Sequence, residues 1–148
     1  MIWKNSISLS LITAVFVQLL CQLFKAVFYS LKDKKMGIHY FFSPGGMPSA
    51  HSAFVTSLTT AIGIEAGFGS RIFAVSFVFS VIVIYDAFRL RGTVELHSRA
   101  LNRLYKKLPE NERIEMPTMV GHSLDEIAAG IAVGVILTVL VYLGINRL

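Results

Sequence analysis

A bilayer core of about 30 Å is crossed by a helix of roughly 20 apolar residues. This chain of 148 residues carries four stretches that approach that requirement. They run from Ile7 to Leu31, from Ser49 to about Ala66, from Ile72 to about Tyr85, and from Ser123 to Ile145. In lipid a spanning segment must satisfy its own backbone, so runs of this length and apolarity are expected to be helices. The composition agrees, with 54% hydrophobic and 16% charged residues. Soluble domains sit near 45–50% apolar and about 25% charged. The expected fold class is therefore all-α: an integral membrane, multi-pass helical bundle of about four transmembrane helices, forming one domain over 1–148.

The spans differ in kind. The second carries Ser52, Thr56, Ser57, Thr59 and Thr60, and is expected to pack against other helices rather than to face lipid all round. The third is the most apolar and is expected to continue as a helix past the membrane surface. Beyond it, Leu90, Val94, Leu101, Leu104 and Leu108 form a helical stripe, read as an amphipathic interfacial helix. "PENERIEMPTMVG" is polar and proline-bounded and is expected to be irregular. At the start of the chain, Lys4 followed by "LSLITAVFVQLL" has the flavour of a signal peptide. The apolar pattern continues past Cys21 to Phe28, and Leu20 is too large for the small residue a lipoprotein site needs. A retained span is the expectation.

The formal net charge is +5. In a soluble protein that charge would direct attention to nucleic acid. In a membrane chain the positive-inside rule accounts for it, and no nucleic-acid partner is expected. Lys32, Lys34 and Lys35 follow the first span. Arg89, Arg91, Arg99, Arg103, Lys106, Lys107 and Arg113 lie between the third and fourth. Both basic connections are therefore expected in the cytoplasm, with both termini outside. The single cysteine, Cys21, leaves no internal disulfide to consider.

This topology gathers unusual residues at one face. "SPGGMPSAHSAF" runs from a loop with glycines and prolines into the second helix, placing His51 in its first turn. Asp86, Arg89 and Arg91 lie at the same end of the third span. "GHSLDEIAAG" opens the fourth, where His122 and Glu126 share a helix face. Lys25 sits about a turn below the corresponding end of the first span and is placed either to snorkel outward or to point into the cluster. Plainer readings exist for each residue. Ser49 is a good N-cap and Pro48 a good helix-start residue. Ser123 and Glu126 fit a capping box. Asp86 and Arg89 are spaced as an i,i+3 ion pair. Gly130 and Gly134 form a helix-packing G-x-x-x-G.

Together the residues suit phosphoryl transfer. Helix starts approached by glycines bind phosphate, cationic side chains neutralise it, and two histidines supply a nucleophile and a general acid. His51, Asp86, His122 and Glu126 are also metal-ligand types. No dense motif such as H-E-x-x-H is present, so a metal is the second reading.

"GGMPSAHSA", "YDAFRLR" and "GHSLDEIAAGIAVG", so spaced, resemble the divergent membrane branch of the type 2 phosphatidic acid phosphatase superfamily, related to acid phosphatases and vanadium-dependent haloperoxidases. The resemblance runs from about Gln22 to Gly134. It implies that His122 is the nucleophile, that Glu126 orients it, and that His51 is the general acid. It implies a phosphate shell from Ser49, Ala50, Lys25, Arg89 and Arg91, with Asp86 beside it. Met116 stands where the superfamily places an arginine six residues before the nucleophile, and Arg91 is the candidate to replace it. In "YDAFRLR" and the residue after it, Arg89 and Gly92 depart from the branch's usual glycine and second arginine. The implied activity is hydrolysis of a lipid or isoprenoid phosphate at the cytoplasmic interface, with no metal or other cofactor. Two rivals remain: a membrane binder or carrier of phospholipid or polyprenyl phosphate without turnover, and a structural subunit whose histidines only satisfy helix ends.

The topology has a direct test. Single cysteines replacing Lys34 and Glu110 should label from the same, cytoplasmic compartment. Labelling from opposite compartments would dissolve the convergence of the motifs.

Overall fold

The computed structural model describes residues 8–33, 46–118 and 121–145. Among these, four α-helices carry the fold: α1 (Leu9–Asp33), α2 (Ala50–Ala66), α3 (Arg71–Tyr105) and α4 (Leu124–Ile145). α1, α3 and α4 are long and apolar enough to cross a membrane. α2 has 17 residues, about 26 Å at 1.5 Å per residue, and falls short of a full hydrocarbon core. It is the inner helix of the bundle, packed against all three of the others.

Why α2 is central follows from its side chains. Ala50, Ser52, Ala53, Val55, Ser57, Thr59, Ala61 and Gly63 are buried, and small residues let neighbouring backbones approach closely. Its hydroxyls find partners across helices. Ser57 Oγ meets Thr138 Oγ1 of α4 at 2.7 Å. Thr59 Oγ1 meets Ser76 Oγ at 2.8 Å and Ser80 Oγ at 2.6 Å, both on α3. Ser80 in turn donates to the Val55 carbonyl at 3.0 Å. Ser57 and Thr59, two of the polar residues that weaken this stretch as a lipid-facing span, thus help bind it into the bundle.

α4 meets α2 through its glycines. A Cβ on Gly130 would collide with the Ser49 carbonyl oxygen, and one on Gly134 would lie 2.7 Å from the Ala53 carbonyl oxygen. α1 contributes the stripe Ser10, Thr13, Ala14, Val17, Cys21 and Lys25, all buried. Its larger residues, including Leu19, Leu23, Phe24 and Phe28, are exposed, as suits a surface that faces lipid.

α3 begins at the Ser70 N-cap, whose side chain accepts from the Phe73 N–H at 3.2 Å. It runs 35 residues without a break, about 52 Å. The amphipathic stretch is thus not a separate element but the outer end of α3. Nothing in it stops a helix: Gly92 alone costs only about 1 kcal/mol, and the next proline is Pro109. Lys106 is the C-cap, so Leu108 lies past the helix rather than on its stripe. After a 3₁₀ turn at Glu110–Glu112, the chain turns back along α3. There the Asn102 side chain accepts from the Met116 N–H at 2.8 Å and donates to its carbonyl at 2.9 Å.

If backbone approach at the glycines holds α4 to α2, then Gly134→Val should lower stability by about 1–3 kcal/mol, the usual cost of overfilling a packed contact. Unfolding in detergent followed by circular dichroism measures it. Gly144→Val, where an added Cβ meets no atom within 4 Å, is the control and should change little.

Candidate functional site

Three helix segments are joined by main-chain bonds at one end of the bundle. The Ser49 N–H donates to the Glu126 carbonyl at 3.0 Å, tying the start of α2 to the first turn of α4. The His122 N–H donates to the Ala87 carbonyl at 3.4 Å, tying the approach to α4 to the middle of α3. The Gly121 N–H donates to Glu95 Oε2 at 3.1 Å. A Cβ on Gly121 would lie 2.9 Å from the Gly92 Cα, so the two backbones touch where a larger residue at Gly121 would hold them apart.

His122 is buried, with 6% of its surface exposed. Its Nδ1 lies 2.9 Å from Glu126 Oε2. The same oxygen accepts from the Ser123 N–H at 3.2 Å, and Ser123 Oγ accepts from the Glu126 N–H at 3.3 Å. The capping box is therefore formed, and its carboxylate also orients the histidine. The two readings of Glu126 are one arrangement. An ionised carboxylate only accepts, so it holds the proton on Nδ1 and leaves the Nε2 lone pair available.

The other predicted residues fall around this pair. Lys25 points inward, 3% exposed, within electrostatic range of Glu126 and Cys21. It does not snorkel. His51 is half-buried and lies within electrostatic range of Arg91, His122, Lys25 and Asp86. Groups from α1, α3 and the α4 approach thus all act on His51 of α2. Ser49 is fully buried and N-caps α2, accepting from the Ser52 N–H at 3.4 Å and from the Ser52 hydroxyl at 3.0 Å. In such a start the N–H groups of Ala50 and His51 have no intrahelical acceptor and remain available to an anion.

Asp86 pairs with Arg91 rather than Arg89, at 3.6 Å, with both side chains about a third exposed. A pair this long and this wet is weak, so Arg91 can exchange its partner for an incoming anion. Arg89 is exposed on α3 and is not among the groups that act on His51. Met116, bonded to Asn102, belongs to the returning segment. Among the described residues, no group of three or more His, Cys, Asp or Glu side chains is arranged to hold a metal ion.

Two residues have roles at the site that the sequence reading did not assign. Glu95 holds the backbone next to His122, and Ser52 bonds the capping serine. Gly121 beside His122 was the available signal for the first, since a glycine next to a chemical residue marks close backbone approach.

Comparison with known proteins identifies the family. The model of the Divergent PAP2 family matches residues 7–137. The chain belongs to that family. It is also similar to the uncharacterized membrane protein YuiD of Bacillus subtilis (strain 168), with 30% identity over 142 residues, covering 86% of this chain and 90% of YuiD. No solved structure matches it significantly. The family match takes in all three joined segments, including Lys25, His51, Arg91, His122 and Glu126.

The double duty of Glu126 predicts a separation of effects. Glu126→Gln retains an acceptor and should leave stability nearly unchanged. Glu126→Ala loses the cap and should cost about 1 kcal/mol. In nitrogen-15 NMR spectra, His122 should carry its proton on Nδ1 in the parent protein and lose that preference in Glu126→Ala. An unaltered tautomer would deny Glu126 the orienting role.

Proposed function

We propose that the protein is a membrane phosphatase that hydrolyses a lipid or isoprenoid phosphate, with its site facing the cytoplasm. The observation that carries this reading is the buried His122–Glu126 pair with His51, Lys25 and Arg91 gathered around it. Phosphoryl transfer asks for positioning and charge stabilisation more than for covalent machinery, and the cluster offers both.

The steps follow from the roles. Lys25, Arg91 and the N–H groups at the start of α2 hold the phosphoryl oxygens. His122 Nε2 forms a bond to phosphorus as the bond to the ester oxygen breaks, and His51 protonates the departing alkoxide. His51, now neutral, takes a proton from water, whose oxygen attacks the phosphohistidine and breaks the P–N bond. Inorganic phosphate leaves. The imidazolium-like character of His122 in both steps is supported by the Glu126 carboxylate. His122 must begin neutral and His51 charged, which makes the rate bell-shaped in pH.

An apolar partner for the phosphate is supported by a groove of about 610 Å³ between α1 and α4. Its walls include Cys21, one turn from Lys25, and Pro48, next to Ser49. Phe24, Phe28 and Val133 continue it along the lipid-facing side. The cytoplasmic orientation rests on the basic connections. Binding without turnover is the second reading, favoured by Met116 at the position where the superfamily carries an arginine.

A phosphatase assay of the purified protein against lipid monophosphates and diphosphates tests the proposal. Phosphate release should be abolished in His122→Ala, together with any acid-labile, base-stable phosphoenzyme. His51→Ala should lose turnover on alkyl phosphates yet retain much of it on an activated aryl phosphate, whose leaving group needs no proton. Lipid-phosphate binding with no release, lost in the His51→Ala/His122→Ala double variant, would assign the second reading. A His122→Ala protein with parental turnover would remove the mechanism.

A further inference from the structure

The end of α3 and the segment that returns along it enclose a cavity of about 640 Å³. Arg99, Arg103 and Lys106, spaced four and three residues apart, lie on one face of the helix and form one wall. Arg113 and Thr118 line it from the returning segment, together with Glu115. The paired hydrogen bonds between Asn102 and Met116 hold the two walls at their spacing. Four cationic side chains are thus kept around one space, with one carboxylate among them.

The positive-inside rule asks only that basic residues lie on one side of the membrane. It does not ask that they face one another across a cleft. Arg99 is paired with Glu95. Among the described residues, Arg103, Lys106 and Arg113 have no ion-pair partner. Arg113 Nε donates to the Leu108 carbonyl at 3.0 Å, which steadies the guanidinium and turns its two outer nitrogens over to another acceptor. Charges of one sign lining a cleft focus the potential within it and concentrate anions there.

The chemistry of the lining selects the anion. A carboxylate carries one charge, whereas a phosphomonoester carries close to two and offers three strong acceptor oxygens to guanidinium and ammonium groups. A space of about 640 Å³ is of ligand-pocket size and has room for more than one such group. We propose that this cavity binds an anion carrying two or more phosphoryl groups, supplied either by a soluble polyphosphate or by a lipid headgroup. The site is separate from the His122–Glu126 pair. Arg99 also borders the cavity of about 440 Å³ that holds that pair, but Arg103, Lys106 and Arg113 do not. An anion gripped by α3 on one side and by Arg113 on the other adds a tie to the segment that leads to His122, beside the Asn102–Met116 and Glu95–Gly121 bonds.

The test is calorimetric titration of the full chain with inorganic diphosphate, in nanodiscs of phosphatidylcholine. Arg103→Gln and Lys106→Gln should each weaken binding by about tenfold. Lys107→Gln removes the same charge outside the cavity lining and should leave binding unchanged. Glu115→Gln should strengthen it, a gain that misfolding cannot produce. Binding should persist in His122→Ala, and diphosphate should slow hydrogen exchange at residues 113–118. Nanodiscs containing a phosphatidylinositol monophosphate separate the two sources. A lipid headgroup in the cavity should lower the diphosphate affinity of the parent chain but not that of Arg103→Gln, and a soluble anion as the source leaves both unchanged. No binding by the parent chain, an equal loss in Lys107→Gln, or no gain in Glu115→Gln would overturn the proposal. Binding lost in His122→Ala would assign the anion to the reaction site and overturn a separate one.

Discussion

The structure depends on the close approach of two backbones, that of α4 at Gly130 and Gly134 and that of α2 at Ser49 and Ala53. In lipid, apolar burial gives little reason for helices to associate, since lipid tails are as apolar as the side chains they would replace. Contact density and interhelical hydrogen bonds must do it instead. The two glycines let the Ser49 N–H reach the Glu126 carbonyl. That bond joins the helix start holding His51 to the first turn holding the His122–Glu126 pair. The same contact that holds the bundle together therefore sets the spacing of the chemical groups.

This also explains which parts of the molecule were legible in the sequence. Long apolar runs announced helices, and S-x-x-E announced a helix start, because both signals are local. The inward direction of Lys25 was not legible. In a soluble helix the buried face is the more apolar one; here Ser10, Thr13, Ala14, Val17 and Cys21 face in, while Leu and Phe residues face out. Residue size rather than hydropathy marks the interior, so the usual periodicity is silent. Likewise, i,i+3 spacing pointed to Asp86 with Arg89, whereas the side chains place Asp86 with Arg91. The five-residue separation lies outside the usual helix-neighbour rule. The dual role of Glu126 was visible only as two competing readings, because sequence spacing does not reveal that one oxygen serves both.

A buried lysine, a buried histidine and a carboxylate have a cost in a helical bundle, since each charged group must be compensated where water is scarce. α1 gives Lys25 the Glu126 carboxylate as a nearby counter-charge, and Glu126 is itself held by a main-chain N–H. Arg91 and Asp86 sit farther out, where water assists them. The cluster is thus graded, tightly paired inside and loosely paired at the rim. The inner pair fixes the histidine ring, while the loose outer pair is the one freer to change partners.

α3 extends this order beyond the bundle. Its Ala87 carbonyl, Glu95 carboxylate and Asn102 amide hold His122, Gly121 and Met116 in reverse chain order. The returning segment is therefore laid antiparallel along α3 and delivered to the start of α4 at a set height. Residues 109–118 contain almost no regular structure of their own, and a free loop of that kind would leave His122 poorly placed. Clipping it to an unbroken helix replaces the missing internal order with that of α3. The position of His122 is in this way determined from both sides: from within the bundle by Glu126, and from outside by the helix along which the chain returns.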